Sequence, residues 1–125
     1  MDSAQVMAWV AAYEEGWRSA ETEAVERLFT ADIAYRRSPY EPALDLAGLQ
    51  KFWTADDEPF TVAAETVAVE GDRAVVRLEV RYGEPVRQEY RDLWLLRFAA
   101  DGRVEDFEEW AYWPGRGYTA DEDEY

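Results

Sequence analysis

The sequence predicts an α+β fold, in which helices pack against one face of a curved antiparallel sheet. Apolar residues recur at helical spacing through the first part of the chain, and from about residue 60 they alternate with period two. Helices followed by a run of strands are typical of the α+β class, because each helix must bury its apolar stripe against the sheet. The chain has 125 residues, which is the length of one domain.

Three helices are predicted, with a short strand, Ile33 to Arg37, between the second and the third. The first helix runs from about Ser3 to Arg18, and the second follows a cap at Thr22. The apolar positions recur every three or four residues in each: Val6, Val10, Tyr13 and Trp17; then Val25, Leu28 and Phe29; then Leu46, Leu49, Phe52 and Trp53.

Four longer strands follow and form an antiparallel meander. Their turns lie at Gly71-Asp72, at Gly83-Glu84-Pro85 and at Asp101-Gly102, residue types that favour tight reversals of the chain. The predicted strands are Phe60 to Glu70, Arg73 to Tyr82, Gln88 to Phe98 and Arg103 to Trp113.

Composition excludes several classes of function. The chain has 28 acidic and 13 basic residues, a net charge of −15, which repels nucleic acids and anionic membranes. It has no Cys and no His, so neither a thiolate metal site nor an imidazole base is available. Acid–base chemistry must therefore use Asp, Glu, Tyr or Lys, and we expect no cofactor and no metal.

The hydropathy pattern predicts a cytoplasmic protein. No stretch approaches the roughly 20 apolar residues that cross a bilayer. The segment Met1 to Val10 lacks the basic region and the long apolar run of a signal peptide.

Strand alternation sorts the side chains into an inner and an outer face. The inner positions of the strand from Gln88 to Phe98 include Tyr90, Asp92 and Trp94, whereas Leu93 and Leu95 lie outside among charged residues. Two apolar neighbours on a charged outer face predict a homodimer through that face.

The last strand predicts a bulge. Val104 and Phe107 are both apolar but have opposite parity, so both turn inward only if one extra residue lies between them. Beyond such a bulge, Phe107, Glu109, Ala111 and Trp113 all point inward.

The order of elements, with specific phrases, resembles the SnoaL-like branch of the superfamily of nuclear transport factor two and ketosteroid isomerase. The phrases run from Val25 to Asp32, from Gly48 to Trp53 and from Leu96 to Val104, and the similarity extends from about Val6 to Trp113. The resemblance implies a cone-shaped sheet covered by three helices and enclosing one small-molecule pocket. We expect a single domain over residues 1–114. Gly115, Gly117 and the acidic run from Asp121 to Glu124 predict a flexible tail over residues 115–125.

The resemblance places family site residues only in part. The oxyanion-hole Tyr of ketosteroid isomerase falls at Tyr13, but its general base falls at Arg37 and its second acid at Trp94. The Tyr of limonene epoxide hydrolase falls at Tyr35 and its late acidic residue near Glu109, whereas its central Arg-x-Asp has no counterpart. The scaffold is therefore expected, but not either relative's chemistry.

The candidate site combines these residues. The proposed catalytic groups are Asp92 and Glu109 as acid and base, Arg37 to set their charge and Tyr13 to donate to a substrate oxygen. The substrate-binding candidates are Tyr35, Trp17, Trp53, Tyr90, Trp94 and Phe107. This set predicts a cofactor-free isomerase, cyclase, dehydratase or hydrolase for a small hydrophobic molecule that carries oxygen. A buried structural ion pair, a non-catalytic binding domain and a structural dimer remain alternatives.

Overall fold

The computed structural model of the protein describes residues 1–54 and 58–115. The prediction of a flexible acidic tail falls almost entirely outside these residues. The elements in chain order are α1 (Ser3–Ser19), α2 (Glu23–Leu28), β1 (Phe29–Arg36), α3 (Leu46–Phe52), β2 (Phe60–Glu70), β3 (Arg73–Tyr82), β4 (Gln88–Phe98) and β5 (Val104–Tyr112).

The α+β class is confirmed, with one five-stranded sheet of order β1-β5-β4-β3-β2. Strands β2 to β5 form the predicted antiparallel meander. The first strand differs, because β1 pairs with β5 in parallel and makes the sheet mixed. This pairing places β1, which precedes the meander in sequence, beside β5, which is the last strand of the meander.

The first strand also begins earlier than predicted. Phe29, expected on the second helix, is its extended C-cap residue and the first residue of β1. Its side chain is fully buried, so the apolar position fits either element and the backbone decides.

The core lies between α1 and the inner face of the sheet. α1 begins with a capping box at Asp2 and Gln5 and buries Val6, Val10 and Tyr13. The inner face supplies Val76, Leu78 and Val80 from β3, and Trp94, Leu96 and Phe98 from β4, all at most 4% exposed. Burial thus confirms the predicted inner face of β4 and identifies the inner face of β3.

Two tryptophan side chains fix the helices to one another. Trp9 Nε1 donates to the Leu28 carbonyl at the end of α2, at 3.0 Å. Trp53 Nε1, just after α3, donates to the Gly16 carbonyl of α1, also at 3.0 Å. These bonds satisfy buried indole donors and hold the three helices over the sheet.

The predicted bulge in the last strand is confirmed. Arg97 of β4 pairs with Asp106, whereas the next residue, Phe98, pairs with Val104, so the register shifts by one residue at Glu105. Val104 and Phe107 are both fully buried as a result.

Candidate functional site

A cavity of about 950 Å³ opens between the helices and the inner face of the sheet. Just over half of the described residues that line it are aromatic: Tyr13, Trp17, Tyr35, Tyr40, Phe52, Trp53, Tyr82, Tyr90, Trp94, Trp110, Tyr112 and Trp113. The carboxyl groups of Asp92 and Glu109 face the same space. The cavity is thus lined by aromatic rings, and two carboxyl groups lie in the wall that the sheet forms.

Asp92 is placed in the wall by the alternation of β4. It lies between Tyr90 and Trp94 on the inner face and is 6% exposed. Its Oδ1 atom has no hydrogen-bond partner among the described residues. Burial, and then the charge and hydrogen-bonding contact of Glu109, raise the pKa of Asp92 to about 9. Asp92 therefore carries a proton at neutral pH.

Glu109 is turned into the cavity by the bulge. It lies directly opposite Trp94 across the β4–β5 pair, which puts both side chains on the inner face. Trp94 Nε1 donates to Glu109 Oε2 at 3.2 Å, so the indole holds the carboxylate near Asp92. The two carboxyl groups therefore interact, and the charge of Glu109 contributes to the raised pKa of Asp92.

Tyr13 and Tyr35 form a second polar pair. Their hydroxyl oxygens are 3.0 Å apart, and both side chains are buried. Burial raises the pKa of each phenol above its ordinary value, and the nearby Glu109 charge raises it further. Both hydroxyls are therefore protonated. Because one donates to the other, the second hydroxyl keeps a proton to donate to a ligand.

Phe107 was predicted to bind substrate, but it does not line the cavity. It packs against the Tyr13–Tyr35 pair on the side away from the cavity. Its ring stacks on Tyr35 with centroids 4.3 Å apart and is fully buried. The bulge turns Phe107 inward as expected, but Tyr35 covers it. Its contribution is to fix the orientation of the phenol.

The expectation that Arg37 sets the charge of the two carboxyl groups is wrong. β1 ends at Arg36, so Arg37 lies in the following loop, is exposed and lies over the Phe52 ring at 4.2 Å. Within residues 1–54 and 58–115, no ion pair joins it to Asp92 or Glu109. Burial and then the charge of Glu109, not a shared arginine, hold the proton on Asp92.

The other predicted wall residues lie where the alternation and the helix faces put them. Trp17, Trp53, Tyr90 and Trp94 all line the cavity. Tyr82 was missed, although it occupies the next inner position after Val80 on β3 and alternation alone would have found it. The rim loop from Ser38 to Glu41 was missed as well, since no periodic pattern marks a loop.

The rim of the cavity carries an ion pair. Arg87 Nε donates to Glu58 Oε2 at 3.0 Å at the mouth of the cavity. In the described part of the chain, no three acidic side chains are grouped so that they could hold a metal ion. None of the helices described there has the length and apolarity that a bilayer crossing requires.

The chain belongs to the SnoaL-like domain family, whose model matches residues 10–107. No curated protein sequence matches it.

Three solved structures share the fold. A Jannaschia sp. CCS1 protein described as a SnoaL-like polyketide cyclase is 17% identical, with 87% of this chain and 86% of that chain covered and a TM-score of 0.68. A Parabacteroides distasonis protein described as a ketosteroid isomerase is 14% identical, with coverage of 80% and 82% and a TM-score of 0.56. An epoxide hydrolase of the limonene epoxide hydrolase type from M. tuberculosis is 10% identical, with coverage of 88% and 84% and a TM-score of 0.64. Proteins with this fold are thus described with different activities, so the fold alone does not indicate what this chain does.

Proposed function

We propose that the protein is a cofactor-free acid–base enzyme for a small, mostly hydrophobic substrate that carries a carbonyl or similar oxygen. The observation that carries this proposal is the pairing, in one aromatic cavity, of two interacting carboxyl groups with two hydrogen-bonded phenols. The carboxyl pair exchanges a proton with the substrate, and the phenol pair binds the oxygen on which negative charge develops.

The phenols suit the second task. A buried hydroxyl that donates to an oxygen is worth most where water is excluded and where the donor is already oriented. Phe107 and Trp53 hold the rings of Tyr35 and Tyr13 in place, through a stacked and an edge-on contact respectively. A substrate oxygen that accepts from the free hydroxyl is stabilised as it becomes an enolate or alkoxide.

The carboxyl groups suit the first task. A protonated Asp92 next to Glu109 brings a proton donor and a second carboxyl group to one place. One carboxyl oxygen can take a proton from a carbon next to the carbonyl group. The same pair can return that proton at another carbon, which isomerises the substrate without any other reagent.

Turnover of a panel of small cyclic ketones, enones and epoxides, with proton exchange followed by NMR in deuterated water, tests the proposal. We expect Asp92→Asn and Glu109→Gln to lower kcat by roughly 100-fold or more, the usual contribution of a general acid or base. Tyr13→Phe should lower kcat to a similar degree, because it breaks the phenol pair.

The matched control is Glu108→Gln, which removes one charge from the outer face of the same strand. It should leave turnover unchanged. Full activity of Asp92→Asn and Glu109→Gln would show that these two residues are not the acid and the base. No turnover of any panel member by the unmodified protein would favour a non-catalytic binding domain.

A further inference from the structure

Within residues 1–54 and 58–115, the carboxyl pair in the cavity has no positive partner. Asp92 is 94% buried, and its Oδ1 has no hydrogen-bond partner among the described residues. Glu109 is bonded by a neutral indole donor, Trp94 Nε1. The ion pairs of the described residues include neither carboxyl group. A buried acidic group without a cation is costly, and here the cost takes the form of a raised pKa of Asp92.

The basic residues of the cavity are at its rim and are engaged there. Arg87 is paired with Glu58, and Arg37 lies over the ring of Phe52. Among the described residues, the positive charges of the cavity thus lie at its rim, and the two carboxyl groups of its sheet wall have no ion pair. A ligand that carries a positive charge to that wall balances the charge of the carboxyl groups, and an anionic ligand is repelled.

The rings around the carboxyl pair favour the same kind of group. Tyr90, next to Asp92 on the inner face, meets Tyr82 and Trp113 edge to face, with centroids 5.9 and 5.4 Å away. Trp94 lies on the other side of Asp92 and packs on Tyr13 at 4.6 Å. Faces of Trp and Tyr rings attract organic cations, more strongly where water is excluded.

We propose that the substrate carries a positively charged nitrogen, as a protonated or quaternary amine, which binds against Asp92 and Glu109 among the rings of Tyr90, Trp94 and Trp113. This inference rests on the proposed function for the substrate's oxygen end and adds the chemistry of its other end. The bound cation offsets the repulsion between the two carboxyl groups and favours their ionised forms, so Asp92 can give up its proton when the substrate is bound.

Choline and its uncharged carbon analogue, in which a tert-butyl group replaces the trimethylammonium group, form a probe pair of equal shape. Binding of each is followed by isothermal titration calorimetry and by tryptophan fluorescence, at moderate salt to screen the general attraction of a chain with net charge −15. We expect choline to bind at least about tenfold more tightly than its analogue.

The preference should vanish in the double variant Asp92→Asn, Glu109→Gln and persist in Glu108→Gln, which has lost an outer carboxylate of the same strand. Both amides are close in shape to the acids they replace, and a melting curve checks that each variant is folded. Equal binding of the two probes, no saturable binding of choline at tens of millimolar, or a preference that survives in the double variant would each overturn the inference.

The outcome is separable from that of the proposed function. Choline has no carbonyl group to react, so its binding reports only on the cation site. A cation preference without turnover would leave this inference standing and remove the catalytic proposal. Turnover of neutral ketones without a cation preference would do the reverse.

Discussion

Asp92 lies on the buried inner face of β4, where an ionised carboxyl group would be costly. Asp92 has Leu78 of β3 as its neighbour on one side and the Ala111 position of β5 on the other. Neither side chain offers a hydrogen bond, so the protonated form is the one that this position favours. The position holds a neutral acid ready to ionise when a positive group arrives.

The raised pKa of Asp92 predicts a stability that falls as pH rises. The ordinary pKa of 3.8 applies to the unfolded chain and about 9 to the folded one. Between these values the folded state holds a proton that the unfolded state has lost. The free energy of unfolding should therefore drop with pH, by at most about 1.4 kcal/mol per pH unit from this one group.

Urea unfolding of the unmodified protein and of Asp92→Asn across this range measures the effect. The difference between the two isolates Asp92 from the general repulsion of an acidic chain. The Asn variant should gain stability relative to the unmodified protein as pH rises, while Glu108→Gln should keep the original slope. Parallel curves for Asp92→Asn and the unmodified protein would show that Asp92 is already ionised in the folded state.

Sequence reasoning located the two carboxyl groups but wrongly gave them Arg37 as a charged partner. Alternation placed Asp92 inside, and the opposite parity of Val104 and Phe107 required the bulge that turns Glu109 inward. The side chain of Arg37 could not be placed in the same way, because its direction depends on where β1 ends. Layering within the core also escaped the pattern, since alternation cannot tell that Tyr35 covers Phe107.

At the scale of elements, the approach of α1 to α2 depends on Gly16. A Cβ atom added there would lie 2.8 Å from the Ala24 Cβ of α2 and 3.4 Å from Trp53 Cζ2. The same residue's carbonyl accepts the Trp53 indole bond. Gly16 therefore permits a close contact among all three helices at the back of the cavity.

Gly16→Ala should destabilise the protein by about 1–3 kcal/mol through overpacking, against a helix-propensity gain of about 1 kcal/mol. The sign of the change in urea unfolding separates the two effects. The double variant Gly16→Ala, Ala24→Gly removes the opposing Cβ and should recover part of the loss. A stabilised Gly16→Ala protein would show that α1 and α2 can move apart at no cost.

The elements themselves were predictable to the extent that one local pattern defines them. β2, β3 and β4 have the predicted bounds, because period-two alternation ends at clear turn residues. β1 was shortened in the prediction, because Phe29 suits the apolar side of a helix as well as the start of a strand. Its parallel partner β5 lies some 70 residues away in sequence, and alternation does not specify which strands pair.

At the scale of the whole molecule, the outer face of the sheet carries an apolar strip. Leu93 lies directly opposite Trp110 there, and Trp110 is 37% exposed. Leu95, the next outer residue of β4, lies opposite Val75. Ion pairs surround this apolar strip, among them Arg77 with Glu65 and Arg97 with Glu105. An apolar centre within a charged rim is the usual composition of a protein interface.

We infer that two copies of the chain associate through this strip. Sedimentation velocity should show a dimer for the unmodified protein and a monomer for Leu93→Glu, which buries a new charge at the centre of the contact. Val67→Glu is the matched control, because Val67 is another exposed apolar residue, 53% exposed, on β2 away from the strip. It should remain dimeric.

Ionic strength provides a second check on the same interface. Each protomer has a net charge of −15, so two copies repel one another at long range while their apolar strips attract at contact. Salt at about 0.15 M shortens the range of that repulsion to about 8 Å, and the dimer should therefore dissociate less as salt is raised. Dissociation promoted by salt would mean that ion pairs hold the two copies together. A monomer at every salt concentration would show that the strip is an ordinary solvent-exposed surface.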